Sequence, residues 1–264
     1  MSAEAYAAPH PAVSTLLEVE GLVRSFGGVQ AVTDATFVVA PGTITGLIGP
    51  NGAGKSTVID LISGRTRPDR GVVRFDGRDL TGQPPYEVSR AGIVRTFQKA
   101  NVFGRLTVLE NLLVGAKPWP GERLSRALWV RSAWSGIESE LIARAFELLA
   151  RFKLEPLANE YAGSLSGGQK RLVEMMRALM AEPKMLLLDE PMAGVNPSLA
   201  LSIAERLEEL RDDGMTMLMV EHELRWVEKL CDPVVVMARG RVLAEGSMEE
   251  LQENEQVVDA YLGG

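Results

Sequence analysis

Residues 49–57 read GPNGAGKST, in which Gly49, Gly54, Lys55 and Ser56 satisfy the spacing Gly-x-x-x-x-Gly-Lys-Ser/Thr. Chemically this is a phosphate cradle. Glycines let successive backbone N–H groups converge on phosphate oxygens with no Cβ in the way, and a helix opening directly after the loop adds its positive end. Lys55 is expected to reach the β- and γ-phosphates, and the Ser56 hydroxyl to ligate Mg²⁺. Asn51, Gly52 and Thr57 fall in the same nucleotide-binding stretch. Two carboxylates, Asp189 and Glu190, close the apolar run MLLLDE. In a phosphoryl-transfer site of this kind Asp189 would hold Mg²⁺ directly or through water, and Glu190 would orient and polarise an attacking water. An Asp-Glu pair at a strand end also suits helix capping, so the catalytic reading leans on the phosphate loop in the same core.

A second glycine loop, LSGGQ at 165–169, heads the helical stretch GQKRLVEMMRALM. Its backbone donors and the helix dipole again favour an anion. The first loop already wraps one nucleotide. The second donor set therefore has to serve another phosphate, most economically the ATP of a partner.

The elements that must position these groups follow from hydropathy. Short β-rich runs LLEVEGLVRSF, ATFVVA and TITGLI are separated by Gly and Pro, and GVVRFDG returns to strand character after the helix GKSTVIDLIS. From about residue 90 to 180 the pattern is helical. There Ile137, Leu141, Ile142, Ala145, Leu148, Leu149 and Phe152 share one face of a 3.6-residue period. Strand and helix then alternate through KMLLLDE, a helix near 198–212, MTMLMVE, ELRWVEKL and PVVVMA. Such alternation builds a parallel sheet covered on both faces, with the helical third inserted into an α/β core.

The chain has 264 residues, 46% of them hydrophobic, and a net charge of −7. It is long enough for a substantial core, and its charge argues against nucleic acid as the main partner. The single cysteine, Cys231, reads as a small core residue and not as a nucleophile. Residues 1–15 lack the basic start and apolar stretch of a signal peptide and read as a flexible tail. No run approaches the ~18 apolar residues of a spanning helix, so any membrane served must be crossed by another subunit.

GPNGAGKST, LSGGQ and LLLDEP, in that order, make the chain resemble ATP-binding cassette (ABC) transporter ATPases over about residues 16–262. The resemblance implies an α/β fold: a P-loop NTPase core with a mainly parallel sheet, an antiparallel β subdomain and an inserted α-helical subdomain. It divides the chain into a tail at 1–15 and one cassette at 16–264. Within the cassette, 16–90 and 180–240 form the core, about 91–179 the helical subdomain and 241–264 a C-terminal extension. In that family two cassettes face head to tail, which implies that Ser166, Gly167 and Gly168 donate to the nucleotide of a second ATPase subunit, identical or paralogous. Gln98 in RTFQK matches the glutamine that senses Mg²⁺ and the attacking water, and His222 in VEHEL matches the histidine at the γ-phosphate. Phe26 in RSFGG matches the aromatic that stacks on adenine, although an aromatic in this run suits a core equally well.

The loop MAGVNP departs from the family pattern, with Asn196 where many relatives carry aspartate. AGVNP, VEH, the ending AYLGG and VRTFQKANVFGRLTVLENLLVGA narrow the resemblance to ATPase subunits of branched-chain and hydrophobic amino-acid importers. Similar sequences energise urea uptake and lipopolysaccharide export. The implied partners are transmembrane permease subunits, docked near Val102 and Phe103, and an extracytoplasmic solute-binding protein. The implied place is the cytoplasmic face of the membrane. A soluble, non-transport ABC ATPase is the less favoured alternative, and a kinase with the same first loop leaves the second unexplained. The segment 117–136, rich in Trp and Arg, reads either as a membrane or permease contact or as a solvated helix.

Overall fold

The computed structural model describes residues 14–96, 101–117 and 131–262, of which 131–137 and 262 by backbone alone. The expected calls on Gln98, on most of segment 117–136 and on residues 1–13 lie outside the described residues.

At one end of a ten-stranded sheet, β1 (Leu17–Phe26) and β2 (Val29–Val39) form an antiparallel hairpin, joined on the other side of β1 by β4 (Arg70–Phe75) and β5 (Arg78–Asp79). The other end is parallel: β3 (Ile44–Ile48), β8 (Thr216–Val220), β7 (Met185–Asp189) and β6 (Ile93–Arg95) lie side by side in that order. Between the two halves, β9 (Val234–Ala238) runs parallel to β3, and β10 (Arg241–Gly246) antiparallel to β9, touching β2 at Asp34. The sheet thus takes in two segments that the sequence places elsewhere. β6 falls inside the range read as helical, and β10 opens the C-terminal extension.

Because side chains alternate across a strand, the parallel strands serve two cores at once. Met185, Leu187, Leu218, Val220, Val235 and Met237 face α1 (Lys55–Ile62) and the antiparallel hairpin. Leu186, Leu188, Met217, Met219, Val234 and Val236 face the other side, under α5 (Gly167–Met180), α6 (Pro197–Asp212) and α7 (Leu224–Leu230). These runs carry no polar face, which is why β3, β7 and β8 are buried at every position. Each fully buried Leu or Val contributes on the order of 1.5–3 kcal/mol.

The helical layer packs α3 (Val108–Val114) and α4 (Arg131–Arg151) against α5. Ala145, Leu149 and Phe152 of the expected apolar face are buried, while Leu141 and Leu148 pack at its edge; the side chain of Ile137 lies outside the description. α2 (Pro85–Ala91) precedes β6. The acidic C-terminal stretch folds as α8 (Met248–Gln252) and α9 (Glu255–Leu262). Cys231 is buried, and burial pushes its thiol up to about 12, so it behaves as the core residue expected. No described helix is long and apolar enough to cross a membrane.

Candidate active site

The buried strand β3 ends at Ile48, the chain turns through residues 49–54, and α1 begins at Lys55. Two of the glycines are compelled by their surroundings. A Cβ on Gly49 would lie 2.0 Å from the Met237 carbonyl oxygen, and one on Gly54 would lie 2.5 Å from that of Ala31. Gly54 also caps the helix at φ 103°, a left-handed conformation that leaves no side chain at the cap. Gly52 is different: nothing lies within 4 Å of where its Cβ would be, so the loop is open there. The first turn of α1 has neither an acidic side chain nor a side-chain cap, the arrangement that suits an incoming phosphate.

Lys55 curls over this loop. Its Nζ donates to the carbonyl oxygens of Gly49 at 2.7 Å and Pro50 at 3.0 Å. Burial lowers its pKa, and the charge of Glu190 opposes that shift, which places the two groups within electrostatic reach. Ser56 and Asn51 are exposed at the loop surface, and Thr57 is half-buried. From the far end of the chain, Tyr261 on α9 receives a hydrogen bond from the Gly49 backbone, while burial holds its phenol up at about 12. This contact ties the C-terminal extension to the phosphate loop, and the composition of an acidic tail gives no sign of it.

Asp189 is the last residue of β7, and Arg95 at the end of β6 donates to its Oδ2 at 2.8 Å while also pairing with Asp60 of α1. Glu190 follows with φ 49°, a conformation uncommon for a residue with a side chain and held here by its N–H bonding to the Val220 carbonyl at 2.9 Å. His222, two residues beyond the neighbouring strand β8, places Nε2 2.9 Å from Glu190 Oε1. The sequence separates these residues by 32 positions, and the structure joins them. Neither is capping a helix.

Two buried charges brace this pair. The Arg171 guanidinium on α5 donates to the carbonyls of Asp189 at 3.1 Å, Glu190 at 2.8 Å and Pro191 at 3.4 Å, and lies 3.5 Å from Glu174. Glu221, only 3% exposed, accepts from the backbone N–H groups of Met192 at 2.9 Å and His222 at 3.1 Å. With Arg95, these are the residues that motif reading misses. The available signal was a charged Arg171 and Glu174, one turn apart, within a helix whose neighbours are Leu172, Val173, Met175 and Met176.

The second glycine loop caps α5. Ser166 Oγ accepts from Gln169 N–H at 3.3 Å, and Gln169 Oε1 accepts from Ser166 N–H at 2.9 Å. Its two glycines differ. A Cβ on Gly168 would fall 1.7 Å from Cδ2 of Leu199, in the first turn of α6, whereas one on Gly167 would meet nothing within 4 Å. Gly168→Ala therefore forces the half-buried Leu199 side chain to shift and is expected to lower stability by about 0.5–1.5 kcal/mol. Gly167→Ala should leave it unchanged or slightly raised, and thermal melting of the two variants checks the contrast. Asn196 caps α6, accepting from the Leu199 N–H at 2.9 Å and from the Ser198 hydroxyl at 2.8 Å. Locally this position needs only an acceptor oxygen, which asparagine supplies as well as aspartate. Phe26 sits at the end of β1, 46% exposed, with the Arg24 guanidinium 4.6 Å from its ring centre; it is no core residue. Phe103 is likewise half exposed.

Residues 32–193 match the family model described as ABC transporter, and residues 241–264 match that of the branched-chain amino acid ATP-binding cassette transporter. The chain is 45% identical over 248 residues to a probable branched-chain amino acid transport ATP-binding protein, LivG, of Archaeoglobus fulgidus, covering 94% of this chain and 95% of that one. The chain belongs to the ABC transporter family. The high-affinity branched-chain amino acid transport ATP-binding protein BraF of Pseudomonas aeruginosa is 37% identical over 249 residues, 94% of this chain and 98% of its own length. Among solved structures, a nucleotide-free ATP-binding cassette from an ABC transporter superposes with a TM-score of 0.81 at 40% identity, covering 95% of this chain and all of the other. An ATP-binding cassette solved as a dimer in a post-hydrolysis state with ADP and phosphate gives 0.71 at 25% identity, covering 88% of this chain and 99% of the other. As an ABC cassette, the chain binds nucleotide and hydrolyses ATP in the service of transport.

Proposed function

We propose that this ABC cassette powers the uptake of branched-chain or other hydrophobic amino acids from the cytoplasmic face of the membrane. In this reading a solute-binding protein delivers substrate to the permease. The observation that carries the choice of solute is the match of residues 241–264 to the branched-chain family model, supported by relatives named for that transport. Within the cassette at 16–264, the proposed division is a core at 16–90 and 180–240, a helical subdomain at about 91–179 and the extension 241–264, with β6 and β10 joining the core sheet.

In the proposed site, Gly49, Asn51, Gly52, Gly54, Lys55, Ser56 and Thr57 hold the triphosphate, and Phe26 stacks on the adenine. Exposure of Asn51, Ser56 and Phe26 supports this, as does the open space over Gly52. The oxygen donors Ser56 and Asp189, with Gln98, suit Mg²⁺, a hard cation bound through one or two protein oxygens together with substrate phosphates. When bound, Mg²⁺ would neutralise charge on the β- and γ-phosphates. Glu190 takes up the proton of the attacking water, and His222, 2.9 Å away, holds the carboxylate in place. Ser166, Gly167 and Gly168 present N–H donors to the nucleotide of the second cassette, and the openness over Gly167 leaves room for it.

Cells lacking this gene should regain leucine, isoleucine and valine uptake from the wild-type chain. They should not regain it from Ser166→Asp, which keeps the helix cap but sets a negative charge against the partner's phosphate. Full uptake with the Asp variant would refute the shared site. Restored uptake of some other solute alone would refute the choice of amino acids.

A further inference from the structure

We propose that Glu221 is a positioning residue for hydrolysis, fixing the backbone that follows Glu190 to the backbone of His222. The inference rests on Glu190 and His222 acting as read above. Glu221 directly follows β8, whose last residue, Val220, accepts the Glu190 N–H through its carbonyl. One step further along, the Glu221 carboxylate spans the same gap with its side chain: Oε1 receives the Met192 N–H and Oε2 the His222 N–H. The two strand ends are therefore linked twice near the 2.9 Å contact between His222 and Glu190, once through the Glu190 N–H and once through the Met192 N–H.

The residue type is what this task demands. Both partners are backbone donors, and an ionised carboxylate is acceptor-only at both oxygens, whereas glutamine would turn an NH₂ group toward one of the N–H groups. Glu221 is buried and its oxygens are committed inward, so it has no path to a substrate. Keeping a carboxylate there is costly. Burial pushes it up from its ordinary value, the neighbouring charges of Glu190 and Glu223 add to that, and the two N–H bonds hold it back. A buried carboxylate under this load, bonded to the backbones of Met192 and His222, makes sense as a brace on the separation of Glu190 and His222.

The test is ATPase kinetics and nucleotide binding of the full-length chain assembled with its permease, comparing wild type, Glu221→Gln and Glu190→Gln. Expected for Glu221→Gln is a fall in kcat of at least tenfold, with KM for ATP within twofold and a melting temperature within a few degrees of wild type. A purely structural role would instead lower the melting temperature and leave the kcat of the folded fraction intact. Should the Gln variant not fold, Glu221→Asp, with both oxygens on a shorter stem, is read by the same split between kcat and KM. A kcat for the Glu221 variant within twofold of wild type, while Glu190→Gln abolishes turnover, overturns the proposal and leaves the catalytic reading standing. If Glu190→Gln itself turns over normally, the catalytic reading fails and this proposal with it.

Discussion

Glu190→Gln is expected to bind ATP and hold it unhydrolysed, with kcat reduced by about 10²–10⁴-fold, the usual contribution of a positioned general base. The geometry argues for so selective a loss. Glutamine has the size of glutamate, and its amide oxygen can keep the 2.9 Å contact with His222 Nε2. The left-handed backbone at residue 190 is held by main-chain bonds, to Val220 through its N–H and to Arg171 through its carbonyl, none of which involves the Glu190 side chain. What disappears is the proton acceptor and its negative charge, which also acts on Lys55. Turnover in the assembled transporter and retention of labelled ATP measure the two halves of the expectation. Turnover within threefold of wild type would show that another group activates the water.

Arg171→Ala should produce the largest loss of stability. The change withdraws donors from three consecutive carbonyls, at Asp189, Glu190 and Pro191, and leaves Glu174, 2% exposed, with a buried charge but without the guanidinium 3.5 Å away. Breaking a buried pair from one side costs about 3–5 kcal/mol. For a chain of this size, at ~2–4 °C per kcal/mol, the melting temperature should drop by about 10 °C. Combining Arg171→Met with Glu174→Gln removes both charges, so the double variant should melt higher than Arg171→Ala. A drop under 2 °C for Arg171→Ala would mean that the carbonyls are satisfied without the clamp.

Much of this site could be read before folding because its chemistry constrains residue type locally. Gly49 and Gly54 are fixed by backbone crowding that no other residue tolerates, and Asp189 and Glu190 stand at the end of an apolar run that can only be an interior strand. Ser166 was legible as a loop residue, yet its capping bond with Gln169 is a second duty that the phosphate reading passes over. What escaped was the support. Arg95, Arg171 and Glu221 act on partners distant in sequence, and nothing in their immediate neighbours encodes those partners. β6, three residues long, is a strand only because β7 offers it an edge. Tyr261 reaches Gly49 across nearly the whole chain, a contact that only the finished fold creates.

The Arg171 clamp also bears on how two such cassettes talk. Arg171 sits one turn into the helix that Ser166 heads, so the donors proposed to serve a neighbour's nucleotide and the segment carrying this protomer's own Glu190 share one rigid mount. On the proposed roles, a displacement of the helix tip would reach the segment carrying Glu190 through the three hydrogen bonds of Arg171. If an occupied neighbour shifts the equilibrium of this carboxylate through that mount, thermodynamic reciprocity requires the carboxylate's state to shift the neighbour's grip on its nucleotide by the same factor.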